Sequence, residues 1–86
     1  MAEYRINFAR SARKQLQGLN RALALRIIAR IENLAEMPRP PGCVKLEGAT
    51  GLWRVRVGDY RVIYEIDDRR QFVDVNAVRH RRDAYR

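Results

Sequence analysis

Residues 52–66 of the chain read LWRVRVGDYRVIYEI, and this stretch decides the fold. Alternating β-branched and aromatic residues on both sides of Gly58-Asp59 predict two strands joined by a two-residue turn. A turn of that length determines which residues face each other across the hairpin. The predicted opposite pairs are Val57 with Tyr60, Arg56 with Arg61, Val55 with Val62, Arg54 with Ile63, and Trp53 with Tyr64.

Side chains alternate between the two sides of a strand, so the predicted hairpin has one apolar face and one basic face. The apolar face carries Trp53, Val55, Val57, Tyr60, Val62 and Tyr64. The basic face carries Arg54, Arg56 and Arg61. Like charges directly opposite each other, as at Arg56 and Arg61, cost up to roughly 1 kcal/mol, and a bound polyanion would remove this repulsion. We expect the apolar face to form the core and the basic face to stay open to water or a ligand.

The N-terminal part predicts a strand followed by a helical hairpin. Residues 4–8 alternate in the manner of a short strand. Ser11 is a candidate N-cap for a short first helix that breaks at Gly18. A second helix is expected over about residues 21–36, capped by Asn20 and carrying one broad apolar stripe. The two helices are expected to pack as a pair on the sheet.

The second helix is followed by the stretch MPRPPGC at residues 37–43, which predicts an irregular connector because its prolines break regular structure. Residues 44–46 predict a short strand. Residues 72–78 predict the last strand, whose irregular alternation near Ala77 indicates a bulge or the strand end. These elements predict the α+β class, with an N-terminal strand and helix hairpin packed on a mainly antiparallel sheet of four to five strands. Residues 1–86 are expected to form a single domain.

The chain has 86 residues with 18 Lys or Arg and 10 Asp or Glu, and its net charge of +8 is spread over both halves. A compact basic domain indicates a nucleic acid or a strongly acidic protein as partner. Cys43 is the single cysteine and His80 the single histidine, which excludes an intrachain disulfide and a Cys/His zinc site within one chain. No apolar run is long enough to span a bilayer and no signal peptide is visible, so a cytoplasmic protein without membrane association is expected.

The candidate chemistry lies in the strand arginines and, in the C-terminal tail, in His80, Arg81, Arg82 and Tyr85. Arginine forks bind phosphate oxygens and keep their charge, and preorganised positive charge stabilises a pentavalent phosphorane. No carboxylate cluster suggests a bound magnesium ion. We therefore expect metal-free cleavage of RNA by its own 2′-hydroxyl, with Tyr85 or His80 as the proton carrier. Arg81 and Arg82 would join the strand arginines if the tail folds over their face, and Lys45 is a further candidate for a phosphate contact.

Three stretches carry a resemblance to a known family, namely KLEG at residues 45–48, WRVRVGDYRVIYEI at residues 53–66 and VRHRRDAYR at residues 78–86. With these motifs the chain resembles the RelE/ParE superfamily of bacterial type II toxin–antitoxin toxins, and it is most similar to the RelE branch. The resemblance extends over nearly the whole chain. It implies a helix pair on a mainly antiparallel sheet. From the residues themselves we expect no cofactor and no metal. The resemblance also implies cleavage of messenger RNA in the ribosomal A site, where the 2′-hydroxyl attacks the adjacent phosphate and leaves a 2′,3′-cyclic phosphate.

The resemblance also implies a set of catalytic residues. The family's basic strand pair falls on Arg54 and Arg56, its arginine after the turn on Arg61, its arginine after the last strand on Arg81, and its C-terminal tyrosine on Tyr85. The strand pair is often lysine in RelE toxins, and arginine is a poorer proton donor. The spacing from Arg81 to Tyr85 is shorter than in some members. Some branches use a histidine for proton transfer where His80 stands.

The partners implied by the resemblance are a cognate RelB-like antitoxin, which wraps the toxin in a hetero-oligomer, and the ribosome with its messenger RNA. Two other functions stay open on the sequence. A ParE-like inhibitor of DNA gyrase would share the fold and the motif GDYRVIYE without nuclease activity. A degenerate toxin would keep only the binding of an antitoxin.

Overall fold

The computed structural model describes residues 3–48 and 51–82 of the chain. Its elements are β1 (Arg5–Phe8), α1 (Arg10–Gln17), α2 (Arg21–Glu32), a 3-10 turn (Asn33–Ala35), β2 (Val44–Lys45), β3 (Leu52–Val57), β4 (Tyr60–Asp67) and β5 (Phe72–His80). The strands form one five-stranded sheet in the order β1-β5-β4-β3-β2. β1 runs parallel to β5, and the other neighbouring strands are antiparallel. The predicted α+β class with a mainly antiparallel sheet is confirmed.

The hairpin of β3 and β4 has the register that its sequence predicts. Every predicted pair is present, from Val57 opposite Tyr60 to Trp53 opposite Tyr64. Gly58 has a φ of 60°, a left-handed conformation that glycine adopts without steric cost. A glycine of positive φ at the first central position is typical of a type II′ turn, whose twist matches that of the flanking strands.

The second helix is capped as predicted and is shorter than predicted. Asn20 Oδ1 accepts a hydrogen bond from Leu23 N at 2.9 Å, which satisfies one of the free donors of the first turn. α2 ends at Glu32 instead of Glu36, and Asn33–Ala35 continues as a 3-10 turn, a common way for a helix to end. No helix within residues 3–48 and 51–82 combines the length and the apolar character needed to cross a membrane.

The irregularity predicted in the last strand is a β-bulge, and α1 stabilises it. The register of β4 with β5 shifts there, so that Asn76 is an extra residue of β5. Ser11 is not the predicted cap of α1, because Ala9 holds that position without a side-chain hydrogen bond. Ser11 Oγ instead donates to the Asn76 carbonyl at 2.8 Å, and Gln15 Oε1 accepts from Val78 N at 2.7 Å. These two side chains satisfy backbone groups beside the bulge, and β5 continues past it.

The helices cover the apolar face of the hairpin, as predicted. Val55 and Val62 of the sheet are buried in one cluster with Ile27 and Ile31 of α2. Trp53 is partly buried and packs against the same cluster. The opposite face of the sheet therefore carries the side chains that are left for solvent or a ligand.

Arg39 of the connector belongs to a hydrogen-bond network with Asp68, in the loop between β4 and β5, and Tyr4, next to β1. Its guanidinium donates two hydrogen bonds to the Asp68 carboxylate, at 3.1 and 2.7 Å, and Tyr4 Oη donates a third at 2.7 Å. The guanidinium also lies 5.0 Å from the centre of the Trp53 ring, within the range of a cation–π contact. The hydrogen bonds from Arg39 and then from Tyr4 lower the pKa of Asp68 to about 2. The network links β1, the connector and the loop between β4 and β5.

Replacing Gln15 with alanine removes the acceptor of the Val78 amide beside the bulge. We expect the free energy of unfolding to fall by about 1–3 kcal/mol, the cost of leaving a buried donor unsatisfied. Urea denaturation measures this difference. Gln17→Ala, at an exposed position of the same helix, is the matched control, and equal stability of the two variants would show that the bulge does not need α1.

Replacing Asp68 with asparagine removes a carboxylate whose pKa falls from 3.8 to about 2 in the folded chain. A lowered pKa means that ionised Asp68 stabilises the fold above its unfolded pKa and that this contribution is lost as the pH falls toward 2. We therefore expect the Tm of Asp68→Asn to lie below that of the wild type near neutral pH and to approach it in acid. Thermal unfolding at several pH values measures this, with the exposed Glu36→Gln as control. A Tm difference independent of pH would contradict the role of the carboxylate.

Candidate phosphate-binding site

Three arginines from three neighbouring strands lie in one line across the sheet. Arg56 of β3 is directly opposite Arg61 of β4, and Arg61 is directly opposite Arg79 of β5. Directly opposite residues project to the same side of a sheet, with Cβ atoms ~4.5–5.5 Å apart. We call Arg56, Arg61 and Arg79 the arginine row. The prediction that Arg56 and Arg61 share a face is confirmed, and Arg79 makes the row longer than predicted.

The arginine row borders a pocket of about 340 Å³ beside the hairpin turn, which we call the arginine pocket. Its lining residues are Arg56, Gly58, Asp59, Tyr60, Arg61, Arg81 and Arg82. Four arginines and one aspartate therefore meet there, from β3, β4, the turn between them and the segment after β5. Four of the predicted site residues, Arg56, Arg61, Arg81 and Arg82, are brought together by the fold.

Arg61 differs from the other arginines of the pocket because it is buried. It is 5% exposed, and it is the one charged residue that is buried within residues 3–48 and 51–82. The expectation that the whole basic face stays open is therefore wrong at this position. A guanidinium keeps its charge, and its field is stronger where the local dielectric is low. Arg61 supplies a fixed positive charge in the wall of the pocket.

Three contacts fix the backbone that carries Arg81 and Arg82. Arg81 N donates to the Asp59 carbonyl at 2.7 Å, which ties the segment after β5 to the hairpin turn. The rings of Tyr60 and His80 meet edge to face with their centroids 5.2 Å apart. His80 Nδ1 accepts a hydrogen bond from Arg82 N at 3.2 Å. The turn and the last strand thus hold the two tail arginines at the pocket.

Arg54 and Lys45 lie outside the arginine pocket. Arg54 is opposite Ile63 on the same face as the arginine row, two residues and therefore roughly 7 Å along the strand from Arg56. Lys45 is opposite Trp53, which packs toward the helices. The sheet separates Lys45 from the arginine row, so the phosphate contact predicted for it does not belong to this pocket.

The two predicted proton carriers have different positions relative to the row. His80 is opposite Tyr60, so its side chain projects to the other side of β5 from Arg79 and it is not among the described residues that line the pocket. Its Nδ1 is an acceptor, which places the proton of the neutral ring on Nε2. Tyr85 lies outside the described residues, and its role stays a prediction.

The charge of this face changes sign along the strands. At the end away from the turn, Glu65 is opposite Asp74. These carboxylates line a second pocket of about 400 Å³ with Arg5, Asp67, Arg70 and Phe72. The described residues include no group of three or more His, Cys, Asp or Glu side chains placed to hold a metal ion. Three carboxylates and two arginines meet in this second pocket, so it attracts an anion less than the arginine pocket does.

Two arginines near the pocket are absent from the predicted set. The predicted last strand ends at Val78, whereas β5 continues to His80 and includes Arg79. The sequence signal for Arg79 is that a charged residue follows the apolar Val78. The face on which each of them lies, Val78 buried and Arg79 exposed, can be assigned only once the bulge is known. The second is Arg26 of α2. Its Nη2 lies 3.9 Å from the position that a Cβ on Gly58 would occupy, and Gly58 lines the pocket.

Known proteins are similar to this chain in sequence and in fold. Residues 6–85 match a family described as the ParE toxin of type II toxin–antitoxin systems, parDE. The chain is 33% identical to Toxin RelG of Mycobacterium tuberculosis (strain ATCC 25618 / H37Rv) over 84 residues, which cover 96% of this chain and 97% of that protein. It is similar to RelE in the archaeal RelE–RelB complex from Pyrococcus horikoshii OT3, with a TM-score of 0.82 and 31% identity over 92% of this chain and 96% of that one. The isolated E. coli RelE toxin has the same fold, with a TM-score of 0.78 and 23% identity over 90% of this chain and 83% of that one.

Replacing Arg56 with threonine removes one of two like charges that face each other across the hairpin. We expect the free energy of unfolding to rise by up to roughly 1 kcal/mol at low ionic strength and the gain to shrink in high salt, which screens exposed charges. Urea denaturation at two ionic strengths measures this. Arg54→Thr is the matched control because Arg54 faces Ile63. A loss of stability in Arg56→Thr at both ionic strengths would mean that the row is not under repulsion.

Proposed function

Since this chain belongs to the ParE toxin family of type II toxin–antitoxin systems, within the RelE/ParE superfamily, we propose that it is a toxin that cleaves messenger RNA on the ribosome. The observation that carries the proposal is the meeting of Arg56, Arg61 and Arg81 at one pocket. Four arginines with one carboxylate suit a phosphodiester, which gains negative charge in the transition state of its cleavage. The proposed enzyme is a metal-independent endoribonuclease.

In the proposed reaction the RNA supplies its own nucleophile. The 2′-oxygen attacks the adjacent phosphorus, the P–O2′ bond forms and the P–O5′ bond breaks. The products are a 2′,3′-cyclic phosphate and a 5′-hydroxyl. One proton leaves the 2′-hydroxyl and one is delivered to the departing O5′. The protein then has to hold the reacting atoms in line and stabilise the charge on the non-bridging oxygens.

We assign the stabilisation of the phosphorane to Arg61 and Arg81. Arg61 is buried, so its charge needs little reorganisation when the reaction occurs. Arg81 is exposed, and its backbone is tied to Asp59, so its side chain approaches a phosphate from the tail side of the pocket. Arg56 binds the same phosphate from β3.

The remaining site residues have supporting roles in the proposal. Arg54 and Arg82 bind the RNA on either side of the reacting phosphate. Tyr85 is favoured over His80 as the proton carrier, because the His80 side chain projects to the other side of β5 from the arginine row. Lys45 lies across the sheet from the row, and we assign it no contact with the reacting phosphate.

We also propose a cognate antitoxin as the partner at rest. The similar RelE of P. horikoshii was solved in a complex with RelB. The net charge of +8 in this chain favours a partner with acidic segments. A ribosomal target places the proposed activity in the cytoplasm.

A second candidate function is inhibition of DNA gyrase by binding alone. The match of residues 6–85 to the ParE toxin family favours it, because a ParE-like function implies that target and no cleavage of RNA. Under this alternative the arginine pocket would contact a partner surface and would not hold a reacting phosphodiester.

Expression of the chain without an antitoxin, followed by mapping of transcript 5′ ends, separates these functions. We expect new 5′ ends inside translated messages. Arg81→Ala should reduce cleavage by about 100-fold or more, as does the loss of one transition-state donor in other enzymes. Arg69→Ala, in the exposed loop between β4 and β5, is the matched control and should cleave normally.

Two further readouts make this experiment decisive. Because Arg81 is exposed, Arg81→Ala should keep the unfolding midpoint of the wild type, so that a loss of cleavage is a loss of chemistry. Intact messages together with growth arrest and DNA breaks would overturn the nuclease and support the gyrase inhibitor. Intact messages with normal growth would indicate a degenerate toxin.

A further inference from the structure

We propose that the arginine row binds two consecutive phosphates of a single-stranded RNA, with Arg79 holding the phosphate next to the one in the arginine pocket. The inference rests on the proposed function, since it describes how the same RNA is held. Arg79 is a positioning residue in this arrangement. It directs the path of the RNA chain and takes no part in the bond that breaks.

The geometry of the row separates Arg79 from the pocket. Arg56 and Arg79 are two strand spacings apart, with Arg61 between them, which corresponds to roughly 10 Å between the two backbones. Arg56 and Arg61 line the arginine pocket and Arg79 does not. A phosphate in the pocket therefore has Arg79 beside it, one strand spacing beyond Arg61. This is where the next phosphate of the same RNA chain would lie.

Arg79 is available to a ligand. It is exposed, and among residues 3–48 and 51–82 it has no ion-pair partner. The carboxylates of Glu65 and Asp74 on the same face lie beyond the pair of Ile63 and Ala77 and beyond the bulge. A guanidinium with no carboxylate beside it is free to bind phosphate oxygens with two hydrogen bonds.

No described strand pairs with β5 at Arg79 on the side away from the pocket, where Ser11 and Gln15 of α1 bond to the nearby backbone at Asn76 and Val78. β1 pairs with β5 only over Phe72–Val75, so no described strand flanks the part of β5 that carries Arg79. An RNA chain that leaves the pocket across β5 therefore passes Arg79 and reaches the edge of the sheet. The row therefore defines a path for the backbone of a single strand across the face of the sheet opposite the helices.

The charge of the row also exceeds what one phosphate requires. The pocket alone offers four arginines to a phosphodiester that carries one negative charge. A second phosphate would bind the guanidinium of Arg79, which lies outside the pocket. Single-stranded RNA supplies one such phosphate for every nucleotide.

Binding of two short RNAs that cannot be cleaved tests this proposal. One is a dinucleotide with a single phosphate and the other a trinucleotide with two, each 2′-O-methylated so that the nucleophile is blocked. NMR titration of the full chain yields the Kd of each RNA. The proteins compared are the wild type, Arg79→Gln, Arg79→Lys and the loop control Arg69→Gln.

We expect the wild type to bind the two-phosphate RNA about tenfold more tightly than the one-phosphate RNA. Arg79→Gln should lose this preference and leave the Kd of the one-phosphate RNA unchanged. For the two-phosphate RNA, the slope of log K against log salt should become shallower by about 0.7 in the same variant. Arg79→Lys should keep most of the preference because it keeps the charge, and Arg69→Gln should match the wild type.

The proposal is overturned if the wild type binds both RNAs equally or binds neither. It is also overturned if Arg79→Gln weakens both by the same factor, since a structural effect of the substitution would do that. These results are distinct from a failure of the proposed nuclease, because the titration involves neither a ribosome nor cleavage. Transcript mapping with Arg81→Ala reports on the reaction, and Arg79→Gln reports only on the second phosphate.

Discussion

Side-chain alternation across three antiparallel strands is the constraint on which this protein depends. Gly58, with a φ of 60°, closes a tight turn, and the resulting pairing of β3 with β4 places Val55 and Val62 on one side and Arg56 and Arg61 on the other. A slip of one residue would exchange the two faces and move the guanidiniums into the core. The same register therefore determines which residues form the core and which face the arginines occupy. A change in one would change the other.

The helical hairpin contributes to the site although it lies on the opposite face of the sheet. Ser11 and Gln15 of α1 hydrogen-bond to the backbone of β5 at the bulge residue Asn76 and at Val78, two residues after it. The extra residue, Asn76, reverses the alternation of everything that follows it. Without the bulge, Val78 and Arg79 would exchange faces. A contact made on the helical side thus decides which charges appear on the side that faces a ligand.

Charge is arranged along the exposed face as well as across it. The arginine row lies near the turn, and Glu65 with Asp74 lies at the other end. Gathering like charges in the folded chain costs free energy before any ligand binds, and the buried apolar cluster compensates for it. In return, the guanidiniums of such a site are already in position before a ligand binds. The stabilisation of a developing phosphorane requires charges that are positioned in advance. This arrangement fits the proposed cleavage of RNA.

Local patterns were enough to predict the hairpin, its register, the Asn20 cap and the shared face of Arg56 and Arg61, because each depends on residues near one another in the chain. Packing between distant segments settles the burial of Arg61, the separation of His80 from the arginine row, and the presence of Arg79 in it. The hydrogen bonds that hold the bulge join residues 65 and 63 positions apart. The irregular alternation near Ala77 indicates either a bulge or the strand end and does not decide between them. The face on which Arg79 lies is therefore known only when α1 and β5 are seen together.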